Sequence, residues 1–157
     1  MKKIVLSLAL VVSLVAVASA ETRKAPPVPA QNPTFVEIEK TLGFVPEFFK
    51  GVPQTLLPAF WSSLTGLQLN PATKLDGKTK ELIGLAVAAQ IPCEYCVYFH
   101  TEAAKLNGAT DEEVKEAVAM AGVTRLASTI LNGTQTDKAQ FKKDTQRIIE
   151  GARRAKK

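Results

Sequence analysis

The sequence predicts an all-α domain, and three observations carry that reading. Apolar residues recur at three- and four-residue spacing from about Thr34 to about Ala155, the period of a helix with one buried face. No run alternates apolar and polar residues as a half-buried strand does. The two Asn-Gly pairs, Asn107-Gly108 and Asn132-Gly133, both follow helical runs and so mark helix ends rather than hairpins. The chain has 157 residues, 46% of them apolar and 22% charged. That suits one ordinary domain with a real core and excludes the disordered and fibrous classes. Two cysteines are too few for a disulfide-stapled small secreted fold.

Residues 1–20 read as a secretory signal peptide. Lys2 and Lys3 precede an apolar run that closes on Ala18, Ser19 and Ala20. A single-pass anchor is the rival reading, but Ser7 and Ser13 break the run, so cleavage after Ala20 and a secreted or periplasmic mature chain are expected. The full chain carries 20 basic and 15 acidic residues. Losing Lys2 and Lys3 leaves a net charge near +3, which calls for no nucleic acid. Residues 21–33 hold four of the nine prolines, Pro26, Pro27, Pro29 and Pro33, and form an extended leader.

The helical domain then spans residues 34–155. A short helix over residues 34–42 carries Phe35, Ile38 and Leu42 and stops at Gly43. One or two turns follow at Pro46, and a longer helix over residues 53–69 turns Phe60, Trp61, Leu64 and Leu67 inward, Trp61 as core. Asn70 and Pro71 break the chain. Asp76 caps a helix reaching Gln90, whose Leu82, Ile83, Leu85, Ala86, Val87 and Ala89 make it almost wholly apolar and hence central. Ile91 and Pro92 interrupt, and the next helix runs from near Cys93 to Gly108. Thr110 and Glu113 form a capping box for a helix carrying Val114, Ala117, Val118, Ala121, Leu126 and Ile130 to Gly133. A last helix over residues 137–154 has Phe141, Thr145, Ile148 and Ile149 as its inner edge, and ends in a solvated basic run of Arg153, Arg154, Lys156 and Lys157.

Both cysteines and the single histidine of the chain fall in the eight residues CEYCVYFH. On a helix Cys93 and Cys96 are at i and i+3, and Cys96 and His100 at i and i+4, so the three share a face. Cα atoms three apart lie about 5 Å from each other, inside the disulfide window. The pair can therefore cycle between dithiol and disulfide. Two effects activate a thiol here and favour different cysteines. The helix N-terminus stabilises a thiolate most at Cys93, whereas the His100 imidazole lies one turn from Cys96 and about 10 Å from Cys93. The residues alone leave the nucleophile undecided. Glu81 is a fourth element, a carboxylate in the first turn of the apolar helix. Should the two helices fold back on each other, it would orient His100 or hold a water.

The segment ELIGLAVAAQIPCEYCVYFH, followed by the Gly108-Ala109-Thr110 turn and DEEVKEAVAMA, resembles the alkyl hydroperoxide reductase D (AhpD) branch of the carboxymuconolactone decarboxylase superfamily. Glu81, Cys93, Cys96 and His100 match its signature spacing residue for residue. LGFVPEFFKG resembles the peroxidase-related members, and the likeness covers about residues 34–131. It implies an AhpD-like helical bundle assembling as a homo-oligomer, a trimer or hexamer, with the thiols beside a subunit contact. It implies that Cys96 attacks and carries the sulfenic acid, that Cys93 resolves it, and that His100 with Glu81 relays protons through water. The decarboxylase branch lacks the cysteine pair, so lactone decarboxylation is not expected. Tyr95 stands where the best-known relay has a further histidine. The family's familiar reductant, a lipoyl-carrying adaptor, is cytoplasmic, so an exported member needs another thiol reductant.

A purely structural disulfide closing four residues would contribute only about 2 kcal/mol and needs no histidine. Zinc held by Cys93, Cys96, His100 and Glu81 lacks the second Cys or His pair usual in closed sites. Covalent haem needs a histidine where Val97 stands. The expectation is therefore an exported thiol peroxidase or disulfide oxidoreductase without cofactor or metal, acting on a peroxide or a small disulfide. The alternative is a non-catalytic helical binding or assembly protein with a structural disulfide.

Overall fold

The computed structural model describes residues 32–156, and the expected signal peptide and nearly all of the Pro-rich leader lie outside them. Seven α-helices are formed among the described residues: α1 (Pro33–Leu42), α2 (Glu47–Lys50), α3 (Leu57–Ser63), α4 (Gly77–Gln90), α5 (Glu94–Leu106), α6 (Asp111–Gly133) and α7 (Lys138–Ala155). The all-α class holds, and no strand occurs among the described residues.

Local chemistry sets most of the boundaries. Gly43 ends α1 at φ +83° and Gly108 follows α5 at φ +86°, the left-handed region that only glycine enters freely. Asp76 caps α4 by accepting the Thr79 N–H at 2.7 Å. Thr110 accepts the Glu113 N–H at 3.1 Å while Glu113 accepts the Thr110 N–H at 2.8 Å, so the capping box is complete. Asp137 does the same work for α7 through Gln140 at 2.7 Å.

The expected helix over residues 53–69 is built differently. Residues 53–56 form a turn, with the Leu56 N–H donating to Pro53 O at 2.9 Å, and α3 begins at Leu57 with Pro58 in its first turn, where a proline costs no hydrogen bond. Its continuation, Leu64–Gln68, is π-helical, closed by the Leu69 N–H donating to Leu64 O at 2.8 Å. Trp61 is core as expected and Leu64 packs beside it, but Phe60, ahead of that turn, is 36% exposed, and Leu67, within it, is 62% exposed.

One small core lies among α1, α2 and α3, where Ile38, Phe49, Leu57 and Trp61 are buried. Phe49 meets Trp61 edge to face with ring centroids 5.6 Å apart, one of the geometries aromatic pairs prefer. A second layer places α4 against both α5 and α6. A Cβ on Gly77 would strike Asn107 and one on Gly84 would strike His100, so α4 and α5 run antiparallel. Lys78 pairs with Glu113 at 2.7 Å and Gln90 with Arg125 at 2.6 Å, an equal offset at both ends, so α4 and α6 run parallel. Leu85, Ala88, Ala104 and Ala121 are buried in this layer. Helix α4 is central, as its apolarity predicts, but Ile83 and Val87 on its flank are exposed in the single chain, as are Val118, Leu126 and Ile130 of α6. The expected inner edge of α7 is likewise not buried: Phe141, Ile148 and Ile149 are exposed, and no residue of that helix is buried.

Candidate active site

The antiparallel α4–α5 pair decides the site. The Cys93 N–H donates to Ala88 O at 3.1 Å, so the break at Ile91 and Pro92 folds the chain straight back. Glu81 and His100 then meet across the pair, with His100 Nδ1 2.6 Å from Glu81 Oε2. Glu81 is 4% exposed, in a helix whose other buried residues are Leu85 and Ala88. A buried carboxylate must be hydrogen-bonded to persist. An ionised carboxylate only accepts, so a neutral imidazole facing one through Nδ1 would carry its proton there and leave Nε2 free to accept another.

Gly84, one turn after Glu81, is the floor of the site. Its missing side chain is what admits the imidazole, since a Cβ there would fall onto ring atoms of His100. Phe99 meets the ring edge-on, with centroids 5.5 Å apart.

Cys93 and Cys96 form a disulfide, with Cα atoms 5.3 Å apart. Cys93 is the N-cap of α5 in extended backbone, and its sulfur accepts the Cys96 N–H at 3.2 Å. The cap makes the first turn of α5 a thiolate-stabilising environment for Cys93, while Cys96 is the cysteine one helical turn from His100. Both sulfur residues are half-buried. Tyr95 between them is 91% exposed.

The structure thus brings Glu81 to His100 and joins Cys93 to Cys96. It also reveals a participant that sequence reasoning missed. Gln68, from the π-helical turn, donates its amide N–H groups to both Glu81 oxygens, at 3.2 and 3.3 Å. No spacing rule connects a glutamine before Asn70 with a carboxylate in the next helix. Gly84 carried a weak signal, a glycine within an apolar helix, which marks a close approach. Among the described residues no cluster of three His, Cys, Asp or Glu side chains converges as a metal ion would require.

A model of the carboxymuconolactone decarboxylase family matches residues 55–135, which takes in the π-helical turn, α4, α5 and α6. The chain is 41% identical over 51 residues to an uncharacterized protein of the Paracoccus denitrificans cox locus, covering 32% of this chain and 46% of that protein. It is 39% identical over 66 residues to an uncharacterized protein of Cupriavidus necator, covering 40% of this chain and 58% of that one. The chain therefore spans about half the length of these curated relatives. The alkylhydroperoxidase AhpD core of Rhodospirillum rubrum superposes with a TM-score of 0.60 at 29% identity, over 69% of this chain and 84% of that one.

Proposed function

The chain belongs to the carboxymuconolactone decarboxylase family and has an AhpD-like fold, and from that premise we propose that it is a thiol peroxidase or disulfide oxidoreductase working through Cys93 and Cys96. The observation that supports this most directly is the order of groups on α5. A sulfur caps the helix, a second sulfur follows within the first turn, and a histidine bonded to a buried carboxylate comes one turn later.

In the reduced protein, His100 Nε2 takes the Cys96 thiol proton, directly or through one water. The thiolate attacks one oxygen of a hydroperoxide, the O–O bond breaks, and the departing alkoxide takes the proton from His100 to leave as the alcohol. Cys96 is now a sulfenic acid. The Cys93 sulfur displaces its hydroxyl as water, which forms the disulfide seen in the structure. Two electrons from an external thiol pair restore the dithiol. The cap at Cys93 assists here: a thiolate that the helix end stabilises is the better leaving group, so the reductant attacks the Cys96 sulfur. In a disulfide exchange a substrate disulfide replaces the hydroperoxide: the Cys96 thiolate attacks one of its sulfurs and expels the other as a thiol, and Cys93 then displaces the bound sulfur as a second thiol to close the same bridge.

We place this chemistry outside the cytoplasm, on the strength of the signal-peptide pattern in residues 1–20. There a small or protein thiol other than a cytoplasmic lipoyl adaptor supplies the electrons.

Turnover of an organic hydroperoxide and of a small disulfide, each with a dithiol reductant, tests the proposal. Both the native chain and Cys96→Ser are needed. Activity that disappears in Cys96→Ser is expected. Absence of both activities, together with a reduction potential below about −300 mV, as inert bridges have, would replace it with the structural-disulfide reading.

A further inference from the structure

We infer that Gln68 is a positioning residue that keeps His100 in the one tautomer able to accept a proton from Cys96, and that the π-helical turn exists in the fold to deliver it. This rests on the peroxidase or exchanger reading for its purpose, but not for its geometry.

The argument begins with Glu81. This carboxylate is buried and is bonded by His100 Nδ1 on one oxygen and by the Gln68 amide across both. A carboxyl group facing a neutral imidazole brings either no proton of its own or, once it has taken one from solvent, a proton of its own. As a carboxylate it accepts from Nδ1–H, which leaves Nε2 as the base. As a carboxylic acid it donates to Nδ1, and the neutral ring must then carry its proton on Nε2, where it can accept nothing. A donor that reaches both oxygens favours the ionised form, because hydrogen bonds to the charged state stabilise that state. Gln68 is such a donor and carries no charge of its own.

The backbone shows how Gln68 is held there. Trp61, buried in the α1–α3 core, fixes the start of the turn. The Thr65 hydroxyl donates to Trp61 O at 3.0 Å. At the far end Lys80 Nζ, on the helix that carries Glu81, donates to Asn70 O at 2.6 Å, and the Asn70 side chain donates back to Gly66 O at 3.2 Å. Between these anchors the Leu69-to-Leu64 bond accommodates one residue more than an α-turn would. Removing that residue would rotate Gln68 by about 100° around the helix axis, away from Glu81.

The chain has one histidine, so its ring nitrogens can be read in the full-length protein by ¹⁵N NMR without assignment. In the native chain at neutral pH the proton is expected on Nδ1. Gln68→Met, of similar length but without a donor, should move most of the neutral population to the Nε2–H form. Gln68→Asn, one methylene short of reaching, should do the same. Gln68→Lys restores a donor and should return the signal to Nδ1–H. In the Cys93→Ser background the Cys96 alkylation rate at pH 7 should fall about tenfold in Gln68→Met, the worth of one hydrogen bond to a charged group, and recover in Gln68→Lys. An unchanged tautomer in both Gln68→Met and Gln68→Asn would overturn the inference, as would a rate loss that Gln68→Lys fails to rescue. A tautomer shift in a chain that turns over neither hydroperoxide nor disulfide would sustain the role of Gln68 and remove the peroxidase reading instead.

Discussion

Gly84 is where a single hydrogen atom in place of a side chain decides the site. A glycine inside a helix ordinarily costs up to about 1 kcal/mol relative to alanine, so Gly→Ala in an open helical position should stabilise. Gly122 in α6 is such a position, where a Cβ would meet nothing within 4 Å. At Gly84 the same methyl would collide with the His100 ring, and overpacking costs about 1–3 kcal/mol. Gly122→Ala is therefore expected to raise the denaturation midpoint and Gly84→Ala to lower it. Gly84→Ala should also slow Cys96 alkylation, because the ring must leave Glu81. A Gly84→Ala protein as stable and as reactive as the native chain would show that the ring has room to shift.

At the scale of elements, side-chain capping fixes where several of the helices begin. The Thr110 and Glu113 capping box opens the longest helix, and Thr110→Ala should cost about 1 kcal/mol in urea denaturation. Glu113 also ties α6 to α4. The Lys78 ammonium bonded to it, followed by the Thr110 N–H, holds its carboxyl below the usual range. A carboxylate whose folded-state value is depressed contributes stability above its unfolded value, and that contribution is lost as pH falls through the folded one. Asp76, lowered chiefly by the Thr79 N–H, and Asp111, lowered chiefly by Lys105, act in the same direction. Stability should therefore hold from neutral pH down to about 4.5 and fall below it, over the range in which carboxylates titrate. Lys78→Met should make that acid decline shallower, measured as urea midpoints between pH 3 and pH 6. An unaltered slope would show the pair to be screened at the surface, where such bridges often contribute little.

For the molecule as a whole, the exposed apolar surface is the outstanding feature. Met120, Val123, Leu126 and Ile130 of α6 are exposed, as are Phe141, Ile148 and Ile149 of α7. An amphipathic helix with its apolar edge in water gains little from folding, and exposed apolar surface invites a covering partner. The homo-oligomer that the family resemblance implies would cover apolar surface of this kind, and its assembly is the measurement that checks it. Sedimentation equilibrium of the purified chain should give a trimer or hexamer, and Ile148→Glu should dissociate it or weaken it by at least tenfold. A native chain that stays monomeric at micromolar concentration would count against that assembly.

The sequence by itself determined what is local. The helix ends at Gly43, Gly108, Asp76 and Thr110 follow from backbone freedom and side-chain capping within four residues, and the Cys93–Cys96 disulfide follows from two cysteines three apart at a helix start. Tertiary structure decided what depends on direction in space. Whether Glu81 reaches His100 turned on α4 and α5 packing antiparallel, which a short Ile91-Pro92 break permits but does not require. The inward face of the helix after Trp61 could not be read from a 3.6-residue period, because the π-helical turn adds a residue and rotates everything beyond it. Gln68 was illegible for the same reason: its partner is thirteen residues away, and only the folded chain brings an amide to a carboxylate over that distance.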